Sequence, residues 1–134
     1  MKAIIVDDTR LARQELQFLL KDMPDIEVVA EAKNADEGEE LIKKHQPDLL
    51  FLDIQMPGRD GFSLLENLDE APHVIFTTAY SEFAMKAFDF NALDYLKKPI
   101  TQERLTAALD KVRGRIVNDQ TAHKLLGEGS QVFV

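Results

Sequence analysis

Short runs of β-prone apolar residues alternate with longer amphipathic stretches along this chain. Strands are predicted at residues 3–6, 26–30, 49–52, 73–77 and 93–96, and helices at residues 9–22, 35–45, 61–68, 81–88 and 102–113. Such alternation favours a parallel sheet covered by helices on both faces. Unbroken apolar runs such as residues 49–52 are typical of strands buried on both sides. The pattern therefore predicts an α/β fold with a doubly wound parallel sheet.

The predicted helices carry apolar stripes at helical spacing. In the first helix the stripe consists of Leu11, Ala12, Leu16, Leu19 and Leu20. Near the fourth helix, we interpret Phe83, Phe88 and Phe90 as packing residues. Residues 114–134 lose the periodicity, contain Gly127 and Gly129, and end on an apolar β-prone run. We therefore interpret residues 1–113 as one domain, and residues 114–134 as a linker followed by the start of a further domain.

Composition narrows the class of protein. The 134 residues include no Cys, which excludes disulfide frameworks, thiolate nucleophiles and Cys-based zinc sites. The apolar runs are far shorter than the roughly 20 residues that span a bilayer, and the first is too short for a secretory signal. We therefore expect no membrane association and a cytoplasmic location. The net charge of −8 disfavours direct binding of nucleic acid by this chain.

Polar residues follow the predicted strands at the edge where open parallel sheets bind ligands. They are Asp7, Asp8, Asp53, Thr77, Thr78, Lys97 and Lys98. Three neighbouring carboxylates repel one another unless a cation lies between them. Their oxygen ligands favour Mg²⁺, with Mn²⁺ as a substitute. An Asp in such a site can attack phosphorus while Lys and hydroxyl groups stabilise the phosphoryl oxygens, which indicates phosphoryl transfer.

Some choices stay open on spacing alone. Asp53 by itself is typical of a turn residue before a Pro-Gly loop. It indicates a functional site only together with the polar residues at the other strand ends. Neighbouring residues of a strand point to opposite sides, so Thr77 and Thr78 are both candidates for the hydroxyl. Lys97 and Lys98 are likewise both candidates for the ammonium group.

Four segments together resemble the signature of response regulator receiver domains. They are Asp7-Asp8 after an apolar strand, residues 50–61 (LFLDIQMPGRDG), Thr78-Ala79 and Lys98-Pro99. The resemblance covers residues 2 to about 113 and implies a flavodoxin-like (βα)5 fold with strand order 2-1-3-4-5. It also implies that the Lys98-Pro99 peptide bond is cis.

The resemblance implies a role for each site residue. Asp53 is the expected phosphoacceptor and Asp8 a direct Mg²⁺ ligand. Asp7 is expected to act on the metal largely through water, and the backbone carbonyl of Gln55 to complete the protein ligands. Thr78 is expected to bind a phosphoryl oxygen and Lys98 to pair with the phosphoryl group.

The same resemblance implies roles for two tyrosines and for a readout surface. Tyr95 is the expected aromatic switch, although an aromatic near a sheet edge more commonly serves packing. Gln55 and Tyr80 are expected to flank the path of the hydrolytic water and so to influence the phosphate lifetime. The phosphoryl donor would be a sensor histidine kinase, and the fourth helix, fifth strand and fifth helix would form a homodimer interface on phosphorylation.

A narrower resemblance concerns residues 75–99 and Leu11-Ala-Arg13. Both are similar to receivers that precede a LytTR-type DNA-binding domain. This implies a transcription regulator that contacts DNA only through an output domain beyond the residues given.

Two rival functions differ in chemistry. A metal-dependent phosphatase with an Asp nucleophile typically has a second acid two residues later, where this chain has Gln55. A receiver-like binding module that is not phosphorylated typically lacks an acid, the Thr or the Lys, and this chain has all of them. We therefore expect a switch that assists its own phosphorylation and dephosphorylation, and not an enzyme that turns over a separate substrate.

Overall fold

Strands and helices alternate through the computed structural model, which describes the backbone of residues 1–128 and the side chains of residues 1–117. The elements are β1 (Lys2–Val6), α1 (Arg10–Leu20), β2 (Glu27–Ala32), α2 (Ala35–His45), β3 (Leu49–Asp53), α3 (Gly61–Glu66), β4 (His73–Thr78), α4 (Ala84–Asp89), β5 (Asp94–Lys97) and α5 (Gln102–Glu128). The strands pair in parallel in the order β2-β1-β3-β4-β5. The predicted fold class and strand order are confirmed.

Each face of the sheet carries its own apolar core. Alternate residues of β1 and β3 point to opposite faces, so Leu50 and Leu52 pack with Phe62 of α3, on the side that also buries Ala35 and Ile42 of α2. On the other face, Phe51 packs with residues of α1 and α5. Because both faces are covered, β3 must be apolar at every core position, which explains its unbroken apolar sequence.

Two apolar residues assigned to buried faces lie on the surface. Leu11 is 61% exposed, whereas Leu16 and Leu20 of the same helix are buried. Leu11 precedes Leu16 by five positions, which places it about 140° around the helix from the buried stripe. Phe88 is 76% exposed on α4, while Phe83 and Phe90 contact the ring of Phe62 as expected. Both assignments to the core were therefore wrong.

The fifth helix is longer than predicted. It continues through Gly114 to Glu128 instead of ending at Arg113. A single glycine inside a helix costs only about 1 kcal/mol, which is too little to end it, and no proline follows in this segment. Ile116 still packs against the core that α1 and α5 share. The strand predicted within residues 131–134 lies outside the described residues.

A helix must be both long and apolar to cross a membrane. Within residues 1–128, no helix combines the length and the apolar character needed to cross a bilayer.

Candidate functional site

The register of the sheet brings the predicted site residues to one edge. Val6 pairs with Leu52, so the next residues, Asp7 and Asp53, leave neighbouring strands at the same level. Asp53 pairs in turn with Thr77. This edge holds the carboxyl ends of the strands, where ligands bind in open α/β sheets.

An acidic cluster occupies this edge. Asp7, Asp8 and Asp53 each offer a carboxylate oxygen within 4.8 Å of the other two. Asp7 and Asp53 are 3% and 5% exposed, whereas Asp8 is exposed to solvent. Such a set of oxygen donors, partly buried and open on one side, fits a hard divalent cation. The cluster can therefore hold the metal that the sequence predicts.

Lys98 lies between the two buried acids. Its Nζ donates a 2.7 Å hydrogen bond to Oδ2 of Asp7 and lies 3.7 Å from Oδ2 of Asp53. The neighbouring Lys97 is exposed. Of the two lysines that spacing left open, Lys98 is therefore the one that reaches the acids. The peptide bond between Lys98 and Pro99 is cis, as expected.

The surroundings of Asp53 disfavour its charged form. Burial is the largest cause and the charge of Asp7 the next, and together they raise the pKa of Asp53 to about 7, although Lys98 opposes the shift. A carboxyl group with this pKa is partly protonated at neutral pH. A cation bound at the cluster would favour the carboxylate form, which is the nucleophilic one.

Asp7 is held from several directions. Its Oδ1 accepts a 2.9 Å hydrogen bond from the backbone N–H of Thr9, and its own N–H donates to the carbonyl of Ala32. Its carbonyl accepts a 2.7 Å hydrogen bond from the guanidinium of Arg13. The sequence had singled out Arg13 only as part of a subfamily motif. An arginine one turn after an acid pair was the available signal for this contact.

The loop after β3 turns sharply beside Asp53, the last residue of that strand. Gly58 has a φ of 86°, a left-handed conformation that favours glycine. Gly61 donates a 2.8 Å backbone hydrogen bond to Ile54, and a Cβ at Gly61 would come within 2.4 Å of the carbonyl oxygen of Asp53. Glycine at position 61 therefore lets the loop pack against the end of β3. Gln55 lies in this loop with its side chain exposed.

The hydroxyl candidates and the tyrosines lie at the next strand ends. Thr77 and Thr78 are both buried, and Oγ1 of Thr78 accepts a 3.2 Å hydrogen bond from the backbone N–H of Tyr80. The hydroxyl of the half-buried Tyr95 donates to the backbone carbonyl of Tyr80. The segment that follows β4 is thus linked both to Thr78 and to Tyr95. Tyr80 is 45% exposed and packs edge-on against Phe83.

The sequence matches the response regulator receiver domain family over residues 3–110. This chain belongs to that family. The resemblance predicted from its motifs is therefore confirmed. The three acids and Lys98 lie together at one edge of the sheet, and Thr78 ends the neighbouring strand β4.

Full-length relatives extend well beyond this receiver. The chain is 42% identical over 130 residues to the sensory transduction protein LytT of Enterococcus faecalis, covering 92% of this chain and 54% of LytT. It is 46% identical over 115 residues to the transcriptional regulatory protein BtsR of Escherichia coli, covering 84% of this chain and 48% of BtsR. The chain thus spans about half the length of these curated relatives.

A solved receiver structure has the same fold over nearly its whole length. The REC domain of AraT, a response regulator from Geobacillus stearothermophilus, is 34% identical, with a TM-score of 0.80 over 89% of this chain and 97% of that domain. The receiver described here is therefore similar to an isolated receiver domain.

Proposed function

We propose that this receiver is a phosphorylation-dependent switch of a two-component system, in which Asp53 accepts a phosphoryl group from a sensor histidine kinase. The observation that carries the proposal is the position of Asp53 at the centre of the site. It lies within 4.8 Å of two further acids and 3.7 Å from the ammonium of Lys98. Receiver domains as a family work with such kinases.

The transfer itself needs an attacking oxygen and stabilisation of the phosphoryl charge. A carboxylate oxygen of Asp53 forms the new P–O bond as the P–N bond of a phosphohistidine breaks, and the imidazole nitrogen keeps the electron pair. Lys98 is already beside Asp53 and pairs with a phosphoryl oxygen. The hydroxyl of Thr78 donates to another. These contacts strengthen as charge collects on the phosphoryl oxygens.

The carboxylates of Asp7, Asp8 and Asp53, with the backbone carbonyl of Gln55, would hold Mg²⁺, or Mn²⁺ in its place. When bound, the ion neutralises the acids and orients the phosphoryl oxygens. Asp7 is already engaged by Thr9 and Lys98, which agrees with our proposal that it acts on the metal largely through water.

The response to phosphorylation passes through Thr78. When the Thr78 side chain rotates so that its hydroxyl reaches the phosphoryl group, its oxygen moves away from the backbone N–H of Tyr80. The carbonyl of Tyr80 in turn accepts a hydrogen bond from the Tyr95 hydroxyl. A change at Thr78 is thus transmitted to the aromatic switch residue. Moving an equilibrium from 1:99 to 99:1 requires about 5.5 kcal/mol, which two or three charge-assisted contacts at roughly 1.5–3 kcal/mol each supply.

The surface formed by α4, β5 and α5 is the proposed readout. Met85 and Phe88 project from α4 with 83% and 76% of their surface exposed, which gives this side an unpartnered apolar character. Asp94 at the start of β5 forms ion pairs with Arg104 and Lys111 of α5. We propose that phosphorylation promotes a homodimer through this surface.

Residues 114–134 would connect the receiver to a LytTR-type DNA-binding output domain. This part of the proposal rests on the regulatory relatives, which are about twice as long as the chain. Transcription would then be controlled through that domain, in the cytoplasm, with no direct DNA contact by the acidic receiver. Gln55 and Tyr80, both exposed beside the site, would set the lifetime of the phosphorylated state.

The decisive experiment is labelling of the wild-type protein and Asp53→Ala with acetyl phosphate and Mg²⁺, followed by intact mass spectrometry. We expect one phosphoryl group per wild-type chain and none on the variant. Beryllofluoride with Mg²⁺ should shift the wild type towards a dimer in analytical ultracentrifugation. A wild type that stays unlabelled would refute the switch, and sustained release of phosphate from small esters would indicate a phosphatase instead.

A further inference from the structure

Arg13 connects three parts of the molecule around the acid pair. Its guanidinium donates 2.7 Å to the backbone carbonyl of Asp7 and 3.0 Å to a carboxylate oxygen of Glu31 on β2. The Arg13 side chain is only 15% exposed, although Glu31 is 37% exposed. The arginine is therefore held on both sides while it contacts the turn between β1 and α1.

That turn has one hydrogen bond to a side chain of its own, from the backbone N–H of Thr9 to Oδ1 of Asp7. Thr9 occupies the N-cap position of α1, but its side chain makes no capping hydrogen bond. The carbonyl of Asp7 belongs to the peptide unit that leads into Asp8. Because a peptide unit is planar, fixing its carbonyl fixes the direction in which the chain enters Asp8. The contact from Arg13 thus limits where the Asp8 carboxylate can lie.

The Arg13 guanidinium does not occupy any carboxylate oxygen that could bind the metal. Lys98 takes Oδ2 of Asp7, whereas Arg13 takes only the backbone carbonyl of that residue. Metal binding therefore leaves the contact from Arg13 in place, and the turn can be held in the same position before and after the cation enters. Groups that orient metal ligands in this way commonly affect metal affinity by about 10- to 100-fold.

We infer that Arg13 is a positioning residue for the divalent cation, fixing the Asp7–Asp8 turn through the Asp7 carbonyl. The inference rests on the proposed function, since it assumes that the acidic cluster binds Mg²⁺. A purely structural tether between α1 and β2 is the competing role. Gln17 offers a matched comparison, because one turn further along α1 it donates to the same Glu31 but does not contact Asp7.

Calorimetric titration of the metal-free full chain with Mg²⁺ separates these roles. We expect Arg13→Gln to raise the Kd for Mg²⁺ by about 10-fold and Arg13→Lys, which can make one of the two contacts, by about 3-fold. Gln17→Ala should stay within about twofold of the wild type. In the metal-free protein, the amide NMR signals of Asp8 and Thr9 should shift in Arg13→Gln and not in Gln17→Ala.

Three results overturn the inference. One is an unchanged Kd in Arg13→Gln, or in Arg13→Lys should the first variant fail to fold. Another is a Kd that rises equally in Gln17→Ala, because that result assigns Arg13 a tethering role only. The third is a wild type that binds no Mg²⁺, in which case the proposed function fails together with the inference. If the wild type binds Mg²⁺ and the Arg13 variants bind it equally well, only the inference is refuted.

Discussion

Nζ of Lys98 lies 2.7 Å from Oδ2 of Asp7, which is closer than the 3.7 Å that separates it from Oδ2 of Asp53. In the unphosphorylated receiver the lysine therefore pairs mainly with an acid that we assign to metal binding. It remains near enough to Asp53 to pair with a phosphoryl group there. The same ammonium thus offsets the acidic cluster before phosphorylation and the phosphoryl charge afterwards.

Removing this ammonium should destabilise the metal-free protein. In Lys98→Met the two buried carboxyl groups lose their nearest cation, and we expect a loss of about 1–2 kcal/mol at pH 8. The lysine side chain is 25% exposed, so solvent screening keeps the loss below that of a fully buried pair. Urea unfolding in EDTA measures it.

Lys97→Met is the control for that measurement. Lys97 is exposed and adjacent in sequence, and we expect its replacement to change the free energy of unfolding by no more than about 0.5 kcal/mol. Equal losses in the two variants would mean that Lys98 does not stabilise the acidic cluster.

The raised pKa of Asp53 predicts a specific pH dependence of stability without metal. The folded protein holds the proton up to about pH 7, whereas the unfolded chain releases it near the ordinary value of 3.8. Between these values the folded state binds more protons, so this group's contribution to stability falls as pH rises. Asp53→Asn cannot ionise and should be more stable than the wild type by about 2 kcal/mol at pH 8.

Urea unfolding at pH 5 and pH 8 in EDTA tests the sign. The advantage of Asp53→Asn should shrink towards pH 5, and excess Mg²⁺ should reduce it at pH 8, because the cation stabilises the wild-type carboxylate. Asp69→Asn replaces an exposed acid and serves as a control, with an expected change of no more than about 0.5 kcal/mol in the free energy of unfolding. A gain of the same size at both pH values would show that ionisation of Asp53 is not its cause.

Much of the fold could be predicted from the sequence because burial on both faces leaves a clear pattern. The apolar run at β3 and the residues that follow it predicted both the strand and the edge that carries Asp53. Two apolar side chains were misplaced for different reasons. Helical spacing itself places Leu11 away from Leu16 and Leu20, whereas the hydrophobic character of Phe88 does not reveal whether its helix turns it inwards.

The site shows a similar division. The predicted strand ends placed Asp7 and Asp53 at the same edge of the sheet, because neighbouring parallel strands end on the same side. Spacing could not choose between Lys97 and Lys98, because that choice depends on the path of the chain after β5. The contact of Arg13 depends on how α1 sits beside β2, which local periodicity does not determine.

The close approach at Gly61 predicts a strong effect of one methyl group. In Gly61→Ala the new Cβ would meet the carbonyl oxygen of Asp53 at 2.4 Å and the side chain of Leu52 at 3.0 Å. The loop after β3 would have to move, and we expect a loss of about 2 kcal/mol in urea unfolding, with weaker binding of Mg²⁺.

Gly114→Ala provides the opposite expectation. Gly114 lies inside α5, and apart from its chain neighbours and the backbone of its own helix, no atom of the described residues lies within 4 Å of an added Cβ. Alanine should therefore stabilise the protein by about 0.5–1 kcal/mol through its higher helix propensity. If Gly61→Ala were as stable as the wild type, the loop would have room that this structure does not show.

Finally, the hydroxyl of Tyr95 should matter for the response and not for phosphorylation. Tyr95→Phe removes the hydrogen bond to the carbonyl of Tyr80 but keeps the ring. With beryllofluoride and Mg²⁺, we expect its dimer dissociation constant in analytical ultracentrifugation to rise about fivefold, as the loss of a hydrogen bond of about 1 kcal/mol implies. Tyr80→Phe retains the acceptor carbonyl and should dimerise like the wild type. Labelling of Asp53 by acetyl phosphate should be unchanged in Tyr95→Phe. A Tyr95→Phe protein that dimerises normally would leave the Tyr95 hydroxyl without a role in the switch, whereas one that is no longer labelled would place Tyr95 in the phosphorylation site itself.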